Sequence, residues 1–342
     1  MHMADALLSP AVGAGMYAVS AAAIAYSVKK IKKDELCEKK IPVMGVMGAF
    51  VFAAQMINFT IPATGSSGHI GGGILLAAMI GGFPALLSIS AVLVIQSLFF
   101  ADGGLLALGA NIFNLGVIPC LLVYPLIYKP LVKKGVTFGG ITIASIAAVV
   151  VALQLGAFSV VLQTLFSGIT ELPFGAFLLL MQPIHLAIGI IEGVITAAVL
   201  CFVYKMRPEI MESALNETAV KSGVPTRNIL VALVVVTILA GGVLSLFVSA
   251  HPDGLEWAIE KIAGTTELET EGSVMERAAA IQEATAFMPD YDYKDAGEDA
   301  PVTGTGVAGL IGSALAFFLA GAAAVTIFAI KKKRRDNAAV SV

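Results

Sequence analysis

Two histidines, His2 and His69, are the side chains in this sequence most suited to binding a metal ion. At the chain terminus, the amine of Met1, the backbone nitrogen of His2 and its imidazole Nδ1 can bind one ion through adjacent chelate rings. We expect Met1 to remain in place, because bacterial removal of the first methionine generally requires a small second residue. The imidazole of His69, within the glycine- and serine-rich loop 64–73, can then supply a fourth nitrogen.

Four nitrogen ligands in one plane favour particular ions. Square-planar nitrogen sites suit Ni²⁺ and Cu²⁺ and admit Co²⁺, whereas Zn²⁺ prefers a tetrahedron. The sequence therefore predicts a nickel or cobalt site formed by Met1, His2 and His69. Another interpretation stays open: His2 belongs to an exposed terminus and His69 to an ordinary loop, because two distant histidines alone give weak support for a metal site.

A second pair of ionisable side chains, His185 and Glu192, lies within a long apolar stretch. Their spacing of two helical turns places them on one face of a helix. Ionisable residues inside a membrane are costly and usually functional, so Glu192 could relay an ion. It could also hold two helices together by a hydrogen bond, which we favour because the sequence shows no charged partner at matching depth.

Several further polar residues lie near or within apolar stretches. A hydrogen-bond partner is needed to set the tautomer of a metal-binding histidine, and any of these residues could serve. Hydrogen bonding between helices is the more common role of such side chains in membranes. The candidates are Asp5, Gln55, Asn111 and Asn114.

Known energy-coupling and catalytic motifs are missing from the sequence. It has no Gly-x-x-x-x-Gly-Lys-Ser/Thr motif for ATP and no His-Glu-x-x-His motif for a zinc protease. The chain of intramembrane charges that ion-coupled transporters usually need is also missing. We therefore expect a binding component without its own ATPase, energised by another protein, and not an enzyme.

The elements that must position these residues are transmembrane helices. Of the 342 residues, 58% are hydrophobic and 13% charged, whereas soluble domains are roughly one-quarter charged. This composition predicts an all-α integral membrane protein of about nine spans. The third span is short and bounded by glycines, which indicates a half-depth or tilted helix. The predicted spans are 11–28, 42–61, 71–82, 84–100, 105–128, 139–166, 182–204, 229–249 and 307–330.

Lysine and arginine predict the orientation of the chain, because cytoplasmic loops collect positive charge. One topology places 18 of the 21 basic residues inside and leaves only Lys261, Arg277 and Lys294 outside. This topology puts the N-terminus outside the cell and predicts a multi-pass protein of the plasma membrane.

The chain divides into two predicted modules. The first covers residues 1–206, a polar cytoplasmic linker follows at 207–228, and the second module covers 229–342 with two spans. Between those two spans, residues 250–305 hold 13 acidic and three basic residues around a predicted helix at 273–286. This external segment could concentrate divalent cations, but we favour a solvated loop with no duty, as charge-rich loops usually are.

Three short motifs make the first module resemble a known family. The opening Met1-His-Met-Ala-Asp-Ala-Leu-Leu-Ser9, Ser67-Gly-His69 and Asn111-Ile-Phe-Asn-Leu-Gly116 are similar to the CbiM/NikM substrate-binding subunits of cobalt and nickel energy-coupling factor transporters. In the second module, Pro252-Asp-Gly-Leu-Glu256 resembles the mark of the small NikN/CbiN-like companion subunit. The sequence thus looks like a fusion of the two, of the NikMN type.

The resemblance implies a fold, a site and partners. It implies a seven-helix substrate-binding bundle joined to a two-helix module, with the ion held by Met1, His2 and the loop histidine His69. It implies a transmembrane coupling subunit of the EcfT/NikQ type and cytoplasmic ATPase subunits of the NikO type, with membrane lipid around the chain and no nucleic acid. We expect a local turn at Pro252-Asp253-Gly254 and no metal contact from it.

Taken with the chelate argument, the resemblance predicts the substrate-capture subunit of an ATP-driven nickel importer, with Co²⁺ as second substrate. A cobalt importer for cobalamin synthesis, an ion-coupled secondary carrier and a metal-sensing receptor are the alternatives.

Overall fold

The computed structural model describes residues 2–31, 40–133, 136–218, 227–247, 249–266, 268–269, 272–294 and 304–340. Met1, a predicted ligand, and residues 219–226 of the predicted linker lie outside the described residues. Where it is described, the chain is mostly helical and contains one two-stranded antiparallel hairpin. The all-α membrane class predicted from composition is confirmed.

The helices and strands follow one another as a series of passes with short connections. In chain order they are α1 (Pro10–Lys30), α2 (Lys40–Gln55), β1 (Phe59–Ile61), β2 (Ser66–Gly68), α3 (Gly73–Ile80), α4 (Gly82–Phe99), α5 (Leu108–Lys133), α6 (Phe138–Ser167), α7 (Phe174–Met206), α8 (Pro208–Asn216), α9 (Arg227–Gly242), α10 (Gly254–Ala263), α11 (Ser273–Thr285) and α12 (Gly304–Val340). Three-residue and four-residue 3₁₀ turns lie at Asp5–Leu7, Leu244–Phe247 and Pro289–Tyr291.

Seven helices in the described part of the chain are long and apolar enough to cross a membrane. They correspond to α1, α4, α5, α6, α7, α9 with its 3₁₀ extension, and the first 30 residues of α12. The shorter α2 and α3 account for the other two predicted spans. The predicted span 42–61 ends early, because the chain leaves the helix after Gln55 and forms β1.

The short helix α3 is buried within the protein, as its flanking glycines indicated. All eight of its residues are buried, and it begins after Gly72 at φ 77° and ends at Gly81 at φ 92°. A Cβ on Gly73 would lie 2.5 Å from Pro119 of α5. Because neighbouring helices cover α3 on all sides, its half-depth ends do not expose unpaired backbone to lipid.

Side-chain caps begin three of the helices described by the structure. Ser9 caps α1 just before Pro10, Thr137 caps α6, and Asp253 caps α10 in a capping box with Glu256. In the middle of α5, π-helical turns between Phe113 and Tyr128 accommodate Pro119 and Pro125, which have no N–H to donate.

The second module packs directly on the first through small residues. Within the second module, the position for a Cβ on Gly309 of α12 lies 2.1 Å from the carbonyl oxygen of Gly241 in α9. Between the modules, a Cβ on Gly241 would lie 3.4 Å from the methyl group of Ala53 in α2. A Cβ on Gly48 of α2 would likewise lie 3.1 Å from the methyl group of Ala320 in α12. Such close backbone approach is how helices associate in membranes, where lipid offers no hydrophobic gain.

Successive passes bring one set of connections to the same end of the bundle, here called the site end. It contains the N-terminal segment, the β1–β2 hairpin, the loop 100–107 and the segment 249–294, which we call the acidic segment. Backbone hydrogen bonds join these connections: Ser249 donates to Asn58, and Met288 donates to Phe99. Both predicted histidines lie at this end.

Candidate metal centre

The structure brings His2 and His69 into contact, although 66 residues separate them in the sequence. Their imidazole rings are parallel within 5°, and the ring centroids are 5.0 Å apart. The side chains are 7% and 8% exposed, so both rings are withdrawn from solvent. The two imidazoles that the sequence predicts to share one ion therefore lie in direct ring contact.

The N-terminal segment is held against α5 by its backbone. The amide of Met3 donates to Asn111 Oδ1 at 2.8 Å, and Asn111 Nδ2 donates back to the Met3 carbonyl at 3.2 Å. Gly104 also donates to that carbonyl, and the Met3 side chain is fully buried. Asn111 thus pairs with both the amide and the carbonyl of Met3. These bonds hold His2, the preceding residue, at the site end of the bundle.

The four polar residues considered as partners of the histidines have other roles in the structure. Asn111 binds Met3, Asn114 pairs with Gln163, Gln55 donates to the Gly71 carbonyl, and Asp5 accepts from the Ala107 amide. In place of these, Asp102 contacts His2, with Oδ1 at 3.1 Å from Nδ1. Asp102 was not identified from the sequence. The only feature that could have pointed to it is a carboxylate between Ala101 and Gly103-Gly104, just after a predicted span.

Asp102 connects His2 to the acidic segment. Its second carboxylate oxygen accepts a hydrogen bond from the hydroxyl of Tyr291, while its amide donates to Gln96. Burial by itself raises the pKa of Asp102, but the charge of His2 and the hydrogen bonds to His2 and Tyr291 outweigh it, and the pKa lies below its usual range. A carboxylate that stays ionised is therefore in contact with the predicted ligand.

His69 is kept neutral by its surroundings. Burial, reinforced by the positive charge of its neighbours, lowers its pKa to about 3. Its Nδ1 lies 3.3 Å from the Ile70 carbonyl, and its Nε2 lies 3.9 Å from Asp253 Oδ2. A neutral imidazole next to a carboxylate is prepared to accept a cation, because no proton has to be removed first.

The loop that carries His69 is held from one side by the second module. Ser67 donates its amide to the Pro252 carbonyl and its hydroxyl to the His251 carbonyl, both at 2.8 Å. The indole of Trp257 donates to the Thr64 carbonyl at 3.0 Å. The Pro252-Asp253-Gly254 turn expected from sequence is present as the start of α10, and it also forms one wall of the histidine pair.

The same loop is held from the membrane side by Glu192. Its Oε1 accepts from the Gly72 amide at 3.0 Å, while Gln55 Nε2 donates to the Gly71 carbonyl at 2.9 Å. Glu192 therefore forms a hydrogen bond with the backbone at the start of α3. The sequence had favoured a hydrogen bond that joins two helices, and in the structure the partner on the second helix is a backbone amide. His185, on the same face of α7, bonds the Met181 carbonyl and packs under Gly254.

The acidic segment covers this centre, contrary to the solvated loop favoured from its charge. Gln282 of α11 donates to the carbonyls of Ser97 and Gly103, and Asp290 donates its amide to the Phe100 carbonyl. The predicted helix in the middle of this segment is confirmed as α11. Charge alone did not reveal these contacts, because they join backbone carbonyls of a loop about 180 residues earlier in the chain.

Side chains alone do not make a metal site in the described ranges. Within them, no group of three or more His, Cys, Asp or Glu side chains is close enough to hold one ion. A site centred on His2 and His69 must therefore take further ligands from backbone or terminal nitrogens, as the chelate argument requires.

The architecture and this centre define a multi-pass helical membrane protein with a buried histidine pair suited to a metal cation. Residues 2–210 match the family model described as cobalt uptake substrate-specific transmembrane region, and residues 227–329 match the PDGLE domain. The first match covers more than half of the chain. The chain therefore belongs to this family of nickel and cobalt transport components, here joined to a PDGLE domain.

Individual relatives agree with this assignment. A protein of Archaeoglobus fulgidus with the provisional name of a fused nickel transport protein, NikMN, is 29% identical over 93% of this chain and 96% of its own length. The cobalt transport protein CbiM of Geobacter sulfurreducens is 26% identical, covering 82% of this chain and 78% of its own. The crystal structure of a transition metal transporter is 31% identical with a TM-score of 0.53, covering 62% of this chain and 98% of that one.

Proposed function

We propose that this protein is the substrate-capture subunit of an energy-coupling factor importer for nickel, with Co²⁺ as its second substrate. Met1 contributes its amine, His2 its backbone nitrogen and imidazole, and His69 its imidazole, in a square-planar nitrogen site. The observation that carries the proposal is the parallel contact of the buried His2 and His69 rings. The names of the relatives, which include both nickel and cobalt transport proteins, support a metal cargo.

The proposed topology places the site end outside the plasma membrane. It follows from the basic residues, of which 18 of 21 then lie on the cytoplasmic side. In this orientation residues 1–206 form the capture module, 207–228 a cytoplasmic linker, and 229–342 the PDGLE module. The ion is captured outside and released inside.

The proposed partners supply the energy. A coupling subunit of the EcfT/NikQ type would bind the membrane-embedded surface, and ATPase subunits of the NikO type would hydrolyse ATP in the cytoplasm. The sequence contains no ATP-binding Gly-x-x-x-x-Gly-Lys-Ser/Thr motif of its own. An ion-coupled secondary carrier is the second candidate, and it is distinguished by uptake that depends on a proton gradient and not on ATP.

The terminal amine gives the sharpest test of the site. We would express the protein with an N-terminal extension ending in Ile-Glu-Gly-Arg, so that factor Xa cleavage restores Met1 with a free amine. The extended protein should fold but lack the amine and carry an ordinary amide before His2, so its Ni²⁺ affinity should fall at least ~100-fold, the loss of one ligand and its chelate ring. Calorimetric titration with Ni²⁺ and with Co²⁺ before and after cleavage measures this.

The comparison uses one preparation, so lipid, detergent and folding are matched. A glycine inserted after Gly168, beside which a Cβ would find open space within 4 Å, serves as a control for changes in a loop at the same end. Equal affinity before and after cleavage would show that the terminal amine is not a ligand. The ion bound more tightly by the cleaved protein identifies the preferred substrate.

A further inference from the structure

A wide cavity lies between the acidic segment and the histidine pair. It has a volume of about 340 Å³ and is open to solvent. Its lining comes from the N-terminal segment, the loop 101–104, α10, α11 and the 3₁₀ turn after α11. Five of the lining residues are carboxylates, and no lysine or arginine is among them: Asp5, Asp102, Asp253, Glu256 and Asp290.

A second and independent feature of this cavity is a buried nitrogen without a partner. His2 lines the cavity and its side chain is 7% exposed. Its Nδ1 contacts Asp102, but its Nε2 has no hydrogen-bond partner within the described residues. Buried polar atoms are nearly always paired in folded proteins, so a ring nitrogen without a protein partner at the wall of a cavity is available to a water or a hydrated ion in that cavity.

We propose that this cavity, which we call the acidic antechamber, holds a hydrated divalent cation before it reaches the histidines. The inference rests on the proposed function, since it concerns the approach to the same site. The carboxylates come from four parts of the chain, with Asp253 and Glu256 together at the start of α10, and no three of them are close enough to bind an ion directly within the described ranges. They act on the cation through its water shell, which needs charge and space but no fixed geometry.

Charge in a cleft with low-dielectric walls raises the local cation concentration and the association rate, by 10-fold or more in favourable cases. Attraction of this kind depends on ionic charge and not on ligand preference. The antechamber therefore accelerates capture of Ni²⁺ and Co²⁺ by the same factor, while the nitrogen ligands decide which ion is retained. This is the cation-concentrating role that the sequence offered as the less favoured alternative, now placed in a specific cavity.

The test removes two antechamber charges that are separate from the two carboxylates in contact with the histidines. In the double variant Glu256→Gln with Asp290→Asn, a glutamine oxygen can still accept from the Asp253 amide, and the backbone amide of residue 290 can still donate its hydrogen bond. The matched control is Glu260→Gln with Glu276→Gln, two exposed carboxylates on α10 and α11 that do not line the cavity. Both pairs change the net charge equally.

Association of NiCl₂ or CoCl₂ is followed by stopped-flow quenching of Trp257, the single tryptophan, which bonds the loop of His69. At low ionic strength the antechamber variant should associate about 5- to 10-fold more slowly, equally for both ions, with an unchanged dissociation rate. The difference should vanish at high salt, where the field is screened. The control pair should associate like the wild type.

Four results would overturn the inference. Equal slowing in the control pair would show a general effect of surface charge, and a change in dissociation rate alone would place these carboxylates at the bound ion. Unchanged association in the antechamber variant would refute the antechamber and leave the capture function intact. If the wild type itself bound neither ion in calorimetry, the proposed function would fail and the antechamber with it.

Discussion

At the scale of single residues, the centre depends on how His69 and its neighbours share a buried space. His69 is neutral because burial lowers its pKa, and it lies between His2, Asp253 and the backbone of its own loop. A residue in that position acts as a ligand only if its nitrogen is required for binding. If His69 only packs in this position, its replacement lowers the stability of the fold more than it lowers the affinity for metal.

We predict that His69→Ala lowers the Ni²⁺ affinity of the purified protein at least 100-fold, roughly 3 kcal/mol, because one of four nitrogens is lost. The matched control is His251→Ala, an exposed histidine at the same end whose backbone carbonyl, and not its ring, accepts from Ser67. Calorimetry measures affinity and a thermal melt in the absence of metal reports folding. An unchanged affinity for His69→Ala would remove this residue from the site.

At the scale of elements, the position of His69 depends on the short helix α3. Its first turn is held by Glu192, which accepts from the Gly72 amide, and by Gln55, which binds the Gly71 carbonyl. Gly72 has φ 77°, a backbone conformation that a residue with a side chain rarely adopts, and a Cβ there would lie 2.6 Å from Val51. The loop is therefore confined between α2, α7 and the PDGLE turn.

We predict that Glu192→Ala weakens Ni²⁺ binding about 10-fold and lowers stability by ~1–3 kcal/mol, because it leaves the buried Gly72 amide unpaired. Glu192→Gln should recover most of both, since an amide oxygen can accept the same hydrogen bond. Calorimetry and thermal melts of the two variants check this. Should Glu192→Gln bind metal as poorly as Glu192→Ala, the charge itself is needed, and the alternative of ion relay becomes the better explanation.

At the scale of the whole molecule, the two modules form one helical body with a shared site. Helices α9 and α12 pack on α2 and α4 through glycine and alanine, which places the acidic segment over the loops of the first module. The PDGLE turn then supplies Asp253 to the surroundings of His69, while Tyr291 reaches Asp102. The fusion thus builds one centre from both modules.

We predict that Gly309→Leu disturbs the packing of α12 against α9 within the second module and destabilises the protein by about 1–3 kcal/mol, the usual cost of overpacking. A Cβ at Gly309 would lie 2.1 Å from the Gly241 carbonyl, so α12 must move away from α9. Gly321→Leu on the same helix is the control, because a Cβ there meets nothing within 4 Å. Thermal melts in detergent should separate the two variants, and equal melting temperatures would contradict the close contact of α12 with α9.

The sequence by itself determined the class, the passes and the central histidine pair. Long apolar runs can cross a membrane only as helices, so composition was sufficient to predict the fold class. Glycines on both sides of α3 indicated its short length. His2 and His69 were identified because a terminal histidine and a loop histidine have a specific chelating chemistry that few other residues have, and the structure brings them together.

Only the tertiary structure decided which groups surround that pair. Asp102 and Asp253 reach the histidines across more than 90 positions of the chain, and no local spacing encodes such contacts. The ends of helices were also misplaced where a hairpin competed with helix, as after Gln55. The acidic segment was predicted to be a solvated loop because many of its residues are charged. Its position in the structure depends on hydrogen bonds to the backbone of a loop far away in the sequence, which composition does not reveal.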